Sequence, residues 1–214
     1  MCARPCGAAL FRGGCPPYPF HLTNEVYDMR VISGTARGRK LKELQGMETR
    51  PTTDKVKESL FNIIQFDIEG RRALDLFGGT GQLGIEALSR GAGGCTFVDQ
   101  RREAAALIRE NLRLCGLSDH ARVVQGDALS FLASCREKFG LIFLDPPYGT
   151  ALLEQSLEAI VRFDILSEHG IIICESAADR LLPTLSSPYE MGREYRYGKI
   201  KLTVFHRTGS EQRE

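Results

Sequence analysis

Leu141-Ile142-Phe143-Leu144-Asp145-Pro146-Pro147-Tyr148 decides the reading of this chain. Four consecutive apolar residues describe a strand buried on both faces, as in a parallel sheet covered by helices. Pro146 and Pro147 cannot donate to a central ladder, so the strand ends there and its exit is stiff. Asp145 therefore stands at the carboxyl end of a central strand, where open α/β sheets bind ligands.

Asp-Pro-Pro-Tyr after a buried strand resembles the motif of methyltransferases that act on exocyclic amines of nucleobases and on amide nitrogens. The residue types suit that chemistry. Such an amine is a poor nucleophile because its lone pair is delocalised. The Asp145 carboxylate and the Pro146 carbonyl can accept both N–H bonds and aim the nitrogen. The prolines leave little backbone to reorganise. Tyr148 offers a flat face for an extruded base.

Upstream, the same pattern of buried strand and terminal acid recurs. Arg72 to Phe77 reads as the first strand, with Asp75 just before Gly78-Gly79-Thr80-Gly81. A helix carrying Leu83, Ala87 and Leu88 follows and stops at Gly91. A glycine-rich turn between strand and helix lets backbone approach a ligand closely. Gly79 to Gly84 also spells G-x-G-x-x-G, the dinucleotide fingerprint. An acid at Asp75 suits an amino group and would repel a pyrophosphate. Cys95 to Val98 is the second strand, and Asp99 at its end can hold ribose hydroxyls of either cofactor type. Ala104, Leu107, Ile108 and Leu112 form the next helix, ended by Gly116. Val123-Val124 is the third strand. Asp127, in Gln125-Gly126-Asp127-Ala128, can accept from an adenine amine or cap the following helix. Three acids at three successive strand ends favour the cofactor role.

Downstream, Leu152 to Val161 has helical spacing, and His169-Gly170 turns into a fifth strand, Ile171 to Cys174. A short Leu181–Leu185 segment leads to two final strands. Ile200, Leu202 and Val204 alternate with Lys201, Thr203 and Phe205, a half-exposed antiparallel pattern after a Tyr197-Gly198 turn.

Ahead of the sheet lies a basic arm. From 30 to 57, Arg30, Arg37, Arg39, Lys40, Lys42, Arg50, Lys55 and Lys57 face Glu43, Glu48 and Asp54. Val31-Ile32 and Leu41 suggest short strands. Thr52 or Thr53 is placed to cap a helix whose apolar stripe is Val56, Leu60, Phe61 and Ile64. Arginine beside a nucleobase motif favours phosphate contact, at Arg37, Arg39, Lys40, Arg50 and Lys55.

The 214 residues suffice for one core, and a net charge of +1 with 43% hydrophobic residues describes a globular chain. The expectation is one domain over 29–207, with 29–66 as its basic N-terminal part, and a tail at 208–214. Residues 1–28, rich in Cys, Pro and Gly, read as a disordered extension. The seven cysteines form no disulfide framework, which suits a reducing cytoplasm. Cys2, Cys6, Cys15 and His21 are too irregularly spaced for a zinc site, so no metal is expected.

Together these stretches resemble the RsmD family, the 16S rRNA guanine-N2 methyltransferases. The resemblance runs through Arg30 to Gly34, Arg37 to Leu41, Thr49 to Asn62, Asp75 to Gly81, Asp145 to Tyr148 and Tyr197-Gly198. It implies an α/β class I methyltransferase fold, Rossmann-like, with seven strands, an antiparallel last strand and a small N-terminal β/α arm. It implies S-adenosylmethionine as donor and a guanine N2 in small-subunit rRNA as acceptor, within a small subunit or an assembly intermediate. The catalytic residues would be Asp145, Pro146 and Tyr148. The cofactor would be held by Asp75, Phe77, Gly78, Gly79, Thr80, Gly81, Asp99, Gln100, Gly126, Asp127 and Ala128. Two departures stand out: Asp99 where the family has Glu, and Gly78 where it has Ala. A monomer is expected. The competing readings are an adenine-N6 methyltransferase on RNA or DNA, an NAD-dependent oxidoreductase, and a non-catalytic assembly factor.

Overall fold

The computed structural model describes residues 29–43 and 54–209. The expected extension 1–28, with Cys2, Cys6, Cys15 and His21, lies outside them, as do Arg50 and the Thr52/Thr53 cap.

Parallel strands β1 (Arg72–Asp75), β2 (Gly94–Asp99), β3 (Ala121–Gln125), β4 (Phe139–Leu144) and β5 (Leu166–Ala177) join β6 (Tyr189–Tyr197) and β7 (Ile200–Arg207) in one seven-stranded sheet, in the order β3-β2-β1-β4-β5-β7-β6. β7 lies between β5 and β6 and runs antiparallel to both. This is the class I methyltransferase fold.

Helices cover both faces. On one face α1 (Asp54–Ile63), α2 (Gln82–Ser89) and α3 (Arg102–Cys115) pack with Leu141 and Phe143 of β4. On the other, α4 (Ala128–Ser134) and α5 (Leu152–Arg162) pack with Ile142 and Leu144. Both faces of β4 are buried, which is why its sequence runs apolar without alternation.

Three expectations need correction. β7 is not half-exposed: Lys201 and Thr203 are buried with the rest. Being an inner strand, β7 is covered on both faces, and the Lys201 ammonium is satisfied by Glu194 at 2.6 Å and the Arg180 carbonyl at 2.7 Å. His169 does not precede β5 but lies within it, at φ 55, where the register against β4 shifts between Phe139 and Leu141. Four residues of β5, Ser167 to Gly170, face Gly140 alone, and Gly170 leaves room for the Leu166 side chain, which a Cβ there would meet at 2.6 Å. Among the described residues, Val31-Ile32 and Leu41 form no strands either, and the arm closes through one antiparallel bridge between Arg30 and Lys40.

What holds the arm is side-chain capture of its backbone. The buried Glu86 carboxylate accepts from the Ile32 N–H at 2.7 Å and the Ser33 N–H at 3.0 Å. Ser89 Oγ accepts from the Ala36 N–H at 2.9 Å, and Asn111 Oδ1 from the Lys42 N–H at 2.8 Å. Lys57 is buried, its ammonium donating to the Arg30 carbonyl at 2.6 Å. It ties α1 to the arm and is not a surface cation.

Candidate active site

Parallel register brings the acids to one edge. Asp75 lies opposite Phe97 and Phe143, and Asp99 opposite Gln125. Leu144 lies opposite Cys174, so the next residues, Asp145 and Glu175, emerge side by side. Asp75 at the end of β1, Asp145 just after β4 and Glu175 near the end of β5 thus stand on three neighbouring strands.

Asp75 is buried and accepts from the Gly84 N–H at 3.0 Å. Burial pushes its carboxyl up to about 7, against the pull of that hydrogen bond and with a further push from Asp99. Gly84, the last glycine of the fingerprint, packs helix on strand: a Cβ there would meet Phe97 at 2.2 Å. Gly79 and Gly81, at φ 55 and 83, make the left-handed turns of the loop. At Gly78 a Cβ would meet only the end of Ile108, at 2.7 Å, so an alanine there needs one side chain to turn.

Asp99 is heavily engaged. One oxygen accepts from the Arg101 N–H at 2.9 Å and its Nε at 3.1 Å; the other accepts from the Gly79 N–H at 2.9 Å and Arg101 Nη2 at 3.2 Å. Four donors fill the acceptor sites of a carboxylate. A ribose hydroxyl can bind here only where the Arg101 guanidinium yields.

Asp127 caps α4, accepting from the Ser130 N–H at 2.8 Å, a bond that lowers its carboxyl. The cap occupies one oxygen, so capping and accepting from a ligand amine are compatible. Gly126 is linked to the same edge, its N–H donating to the Asp99 carbonyl at 3.0 Å. Gln100 is exposed, Phe77 half-buried and Ala128 buried. Thr80 is fastened from behind: its carbonyl accepts from Asn111 Nδ2 at 2.9 Å, and its hydroxyl contacts Met29 Sδ at 3.2 Å.

At the other half of the site, burial, the Glu175 carboxylate and then Asp75 push the Asp145 carboxyl well above the ordinary range. Pro146 is buried and Pro147 exposed. The Pro147 carbonyl accepts from the Thr150 hydroxyl at 2.8 Å, which closes the turn. Tyr148 leaves 47% of its surface exposed, yet its hydroxyl donates to Glu175 Oε1 at 3.0 Å. Glu175 was not legible as a site residue from its strand alone. The signal was present, since it follows Ile171 to Cys174 as Asp145 follows Leu141 to Leu144.

Of the cations expected to meet RNA, Arg37, Arg39, Lys40 and Lys55 are exposed. Arg50 lies outside the described residues.

The model of the family described as "Conserved hypothetical protein 95" matches residues 29–206. Bacillus subtilis YlbH is 44% identical over 184 residues, 85% of this chain and 100% of the relative. Ribosomal RNA small subunit methyltransferase D of Escherichia coli is 36% identical over 179 residues, 84% of this chain and 90% of that protein. The solved structure of Escherichia coli yhhF superposes with a TM-score of 0.78 at 34% identity, covering 85% of this chain and 98% of the other. The chain belongs to this family, the RsmD family of class I methyltransferases.

Proposed function

We propose that this protein transfers the methyl group of S-adenosylmethionine to the exocyclic N2 of a guanine in 16S rRNA of the small ribosomal subunit. The observation that carries the reading is the Asp145-Pro146-Pro147-Tyr148 turn at the end of β4, flanked by Asp75 and Glu175. The similarity to ribosomal RNA small subunit methyltransferase D supports the substrate class.

The residues fit that cofactor. Asp75 is a buried carboxylate that accepts from the Gly84 N–H and has no cationic partner among the described residues, and a cationic amino group would satisfy it. The loop from Gly78 to Gly81 brings backbone close, and Asp127 faces the same edge. S-adenosylmethionine, when bound, supplies a methyl group already activated on a sulfonium. The protein's task is then alignment.

Tyr148 stacks the extruded guanine, and Glu175 fixes the ring by holding its hydroxyl. Asp145 and the Pro146 carbonyl accept the two N2 hydrogens. When ionised, the Asp145 carboxylate beside Glu175 is a stronger base than a solvated one, suited to taking the proton that N2 must lose.

The test is methyl transfer from labelled S-adenosylmethionine to small subunits from a strain lacking this enzyme, followed by digestion of the rRNA to nucleosides. Label in N2-methylguanosine is expected. Label in N6-methyladenosine would keep the site and overturn the base assignment.

A further inference from the structure

The β6–β7 hairpin carries a second surface at the same edge of the sheet. Tyr197 pairs with Ile200, and Ile200 with Ala177 at the carboxyl end of β5. The Ala178 N–H donates to the Lys199 carbonyl at 3.0 Å. The hairpin tip is therefore bonded to the chain three residues beyond Glu175.

Its sequence, Arg193-Glu194-Tyr195-Arg196-Tyr197-Gly198-Lys199, interleaves cations with aromatics. Arg193, Arg196 and Lys199 are exposed. Among the described residues, Arg193 and Lys199 side chains make no ion pair or hydrogen bond. The acid between them is spent: Glu194 is held by Lys201, which lowers its pKa. Asp179 is the exposed acid of the adjoining loop. Tyr195 and Tyr197 pack against the core on the face that also holds α1 and the arm.

Cations on an edge strand also serve to prevent pairing with another chain. That role would spread them along the edge. Here the half of β6 remote from the site, Tyr189 to Gly192, holds none. The mount is stiff as well. Lys201 bonds the Arg180 carbonyl, and the Arg180 guanidinium binds Glu154 of α5 and the Thr150 carbonyl, in the turn after Asp145. Hairpin and catalytic turn are one bonded body.

We propose that this end of the hairpin is an RNA-docking surface whose Arg193, Arg196 and Lys199 contact phosphates of the strand flanking the target nucleotide. The inference rests on the rRNA reading above. It assigns the hairpin affinity and register, with base choice left to the Asp145 turn.

The test is binding of the full chain to unmethylated small subunits and to their naked rRNA across a series of salt concentrations, for the parent and R193A/R196A/K199A. Three lost phosphate contacts should reduce the slope of log affinity against log salt by about 2 and weaken binding roughly tenfold. Affinity for S-adenosylmethionine and turnover at saturating RNA should stay parental, and R193K/R196K should bind as the parent does. Parental affinity and slope in the triple variant would overturn the proposal. So would weakened binding to subunits alone, which would make the partner a ribosomal protein. Label in another base with the expected loss of slope would leave the docking surface standing and overturn only the guanine assignment.

Discussion

Tyr148 Oη donates to Glu175 Oε1 at 3.0 Å, joining the turn after β4 to the end of β5. The bond fixes the hydroxyl end of a ring that is nearly half exposed, as the proposed stacking of a base on that ring requires. Tyr148→Phe keeps the stacking face and removes the tether. A hydrogen bond to a charged group is worth about 1.5–3 kcal/mol, so turnover should fall about tenfold or more. Cofactor affinity should not move. Glu175→Gln should do less harm than Glu175→Ala, because the amide oxygen still accepts. Steady-state kinetics of the three variants checks this, and parental turnover in Tyr148→Phe would contradict it.

With Asp75 as the proposed partner of the cofactor's amino group, cofactor binding acquires a pH dependence. The Asp75 carboxyl, raised to about 7, is largely protonated at pH 6, while a cationic ligand needs it ionised. Affinity for S-adenosylmethionine should therefore rise with pH through about 7 and level off above it, with proton release on binding below that point. The effect on the free protein has the opposite sign. A carboxyl whose pKa is raised by folding favours the folded state below that pKa, and this contribution is lost as pH rises from about 4 to about 7. Calorimetry in buffers of different ionisation enthalpy measures the released proton. In Asp75→Asn both dependences should vanish.

Gly34 tests how firmly the arm is docked. At φ 82, a Cβ there would lie 1.8 Å from the Ser89 carbonyl oxygen, and backbone cannot move aside as a side chain can. Gly34→Ala should separate the arm from α2 at a cost of about 3 kcal/mol, from overpacking and the left-handed backbone together. A thermal midpoint lower by roughly 6–12 °C is expected for a domain of this size. RNA affinity should fall with it, since Arg37, Arg39 and Lys40 lose their position.

Arg180 is remote in sequence from the turn after β4 but bonded to it, through Glu154 and the Thr150 carbonyl. Arg180→Ala should lower turnover while leaving cofactor affinity parental. Arg180→Lys should restore little, because one ammonium cannot reproduce the fork that grips both oxygens of Glu154.

The parallel strands and their terminal acids were legible because burial on both faces writes an unbroken apolar run, and the acid that ends it is conspicuous. β7 departs from its alternating pattern for a physical reason. Lys201 and Thr203 between apolar residues look like a solvated face, and only the tertiary contact with Glu194 and Arg180 makes a buried lysine affordable. Lys57, within a basic stretch of sequence, is buried for the same cause. It sits in α1 at a position covered by the arm, and burial lowers its pKa. Glu86, the residue that captures the arm, follows no pattern that periodicity reveals, since an acid in a helix ordinarily faces water. The Asp99–Arg101 clasp was invisible too, because it depends on a side chain folding back over its own strand end.

The most direct measurement is single-turnover methyl transfer by Asp145→Ala and Asp145→Asn on unmethylated small subunits, with cofactor binding measured on the same preparations. The account predicts parental affinity for S-adenosylmethionine in both, a loss of transfer of about a hundredfold or more in Asp145→Ala, and a smaller loss in Asp145→Asn, whose amide oxygen can still accept one N–H. Transfer at the parental rate in Asp145→Ala would contradict it and remove the turn after β4 from the chemistry.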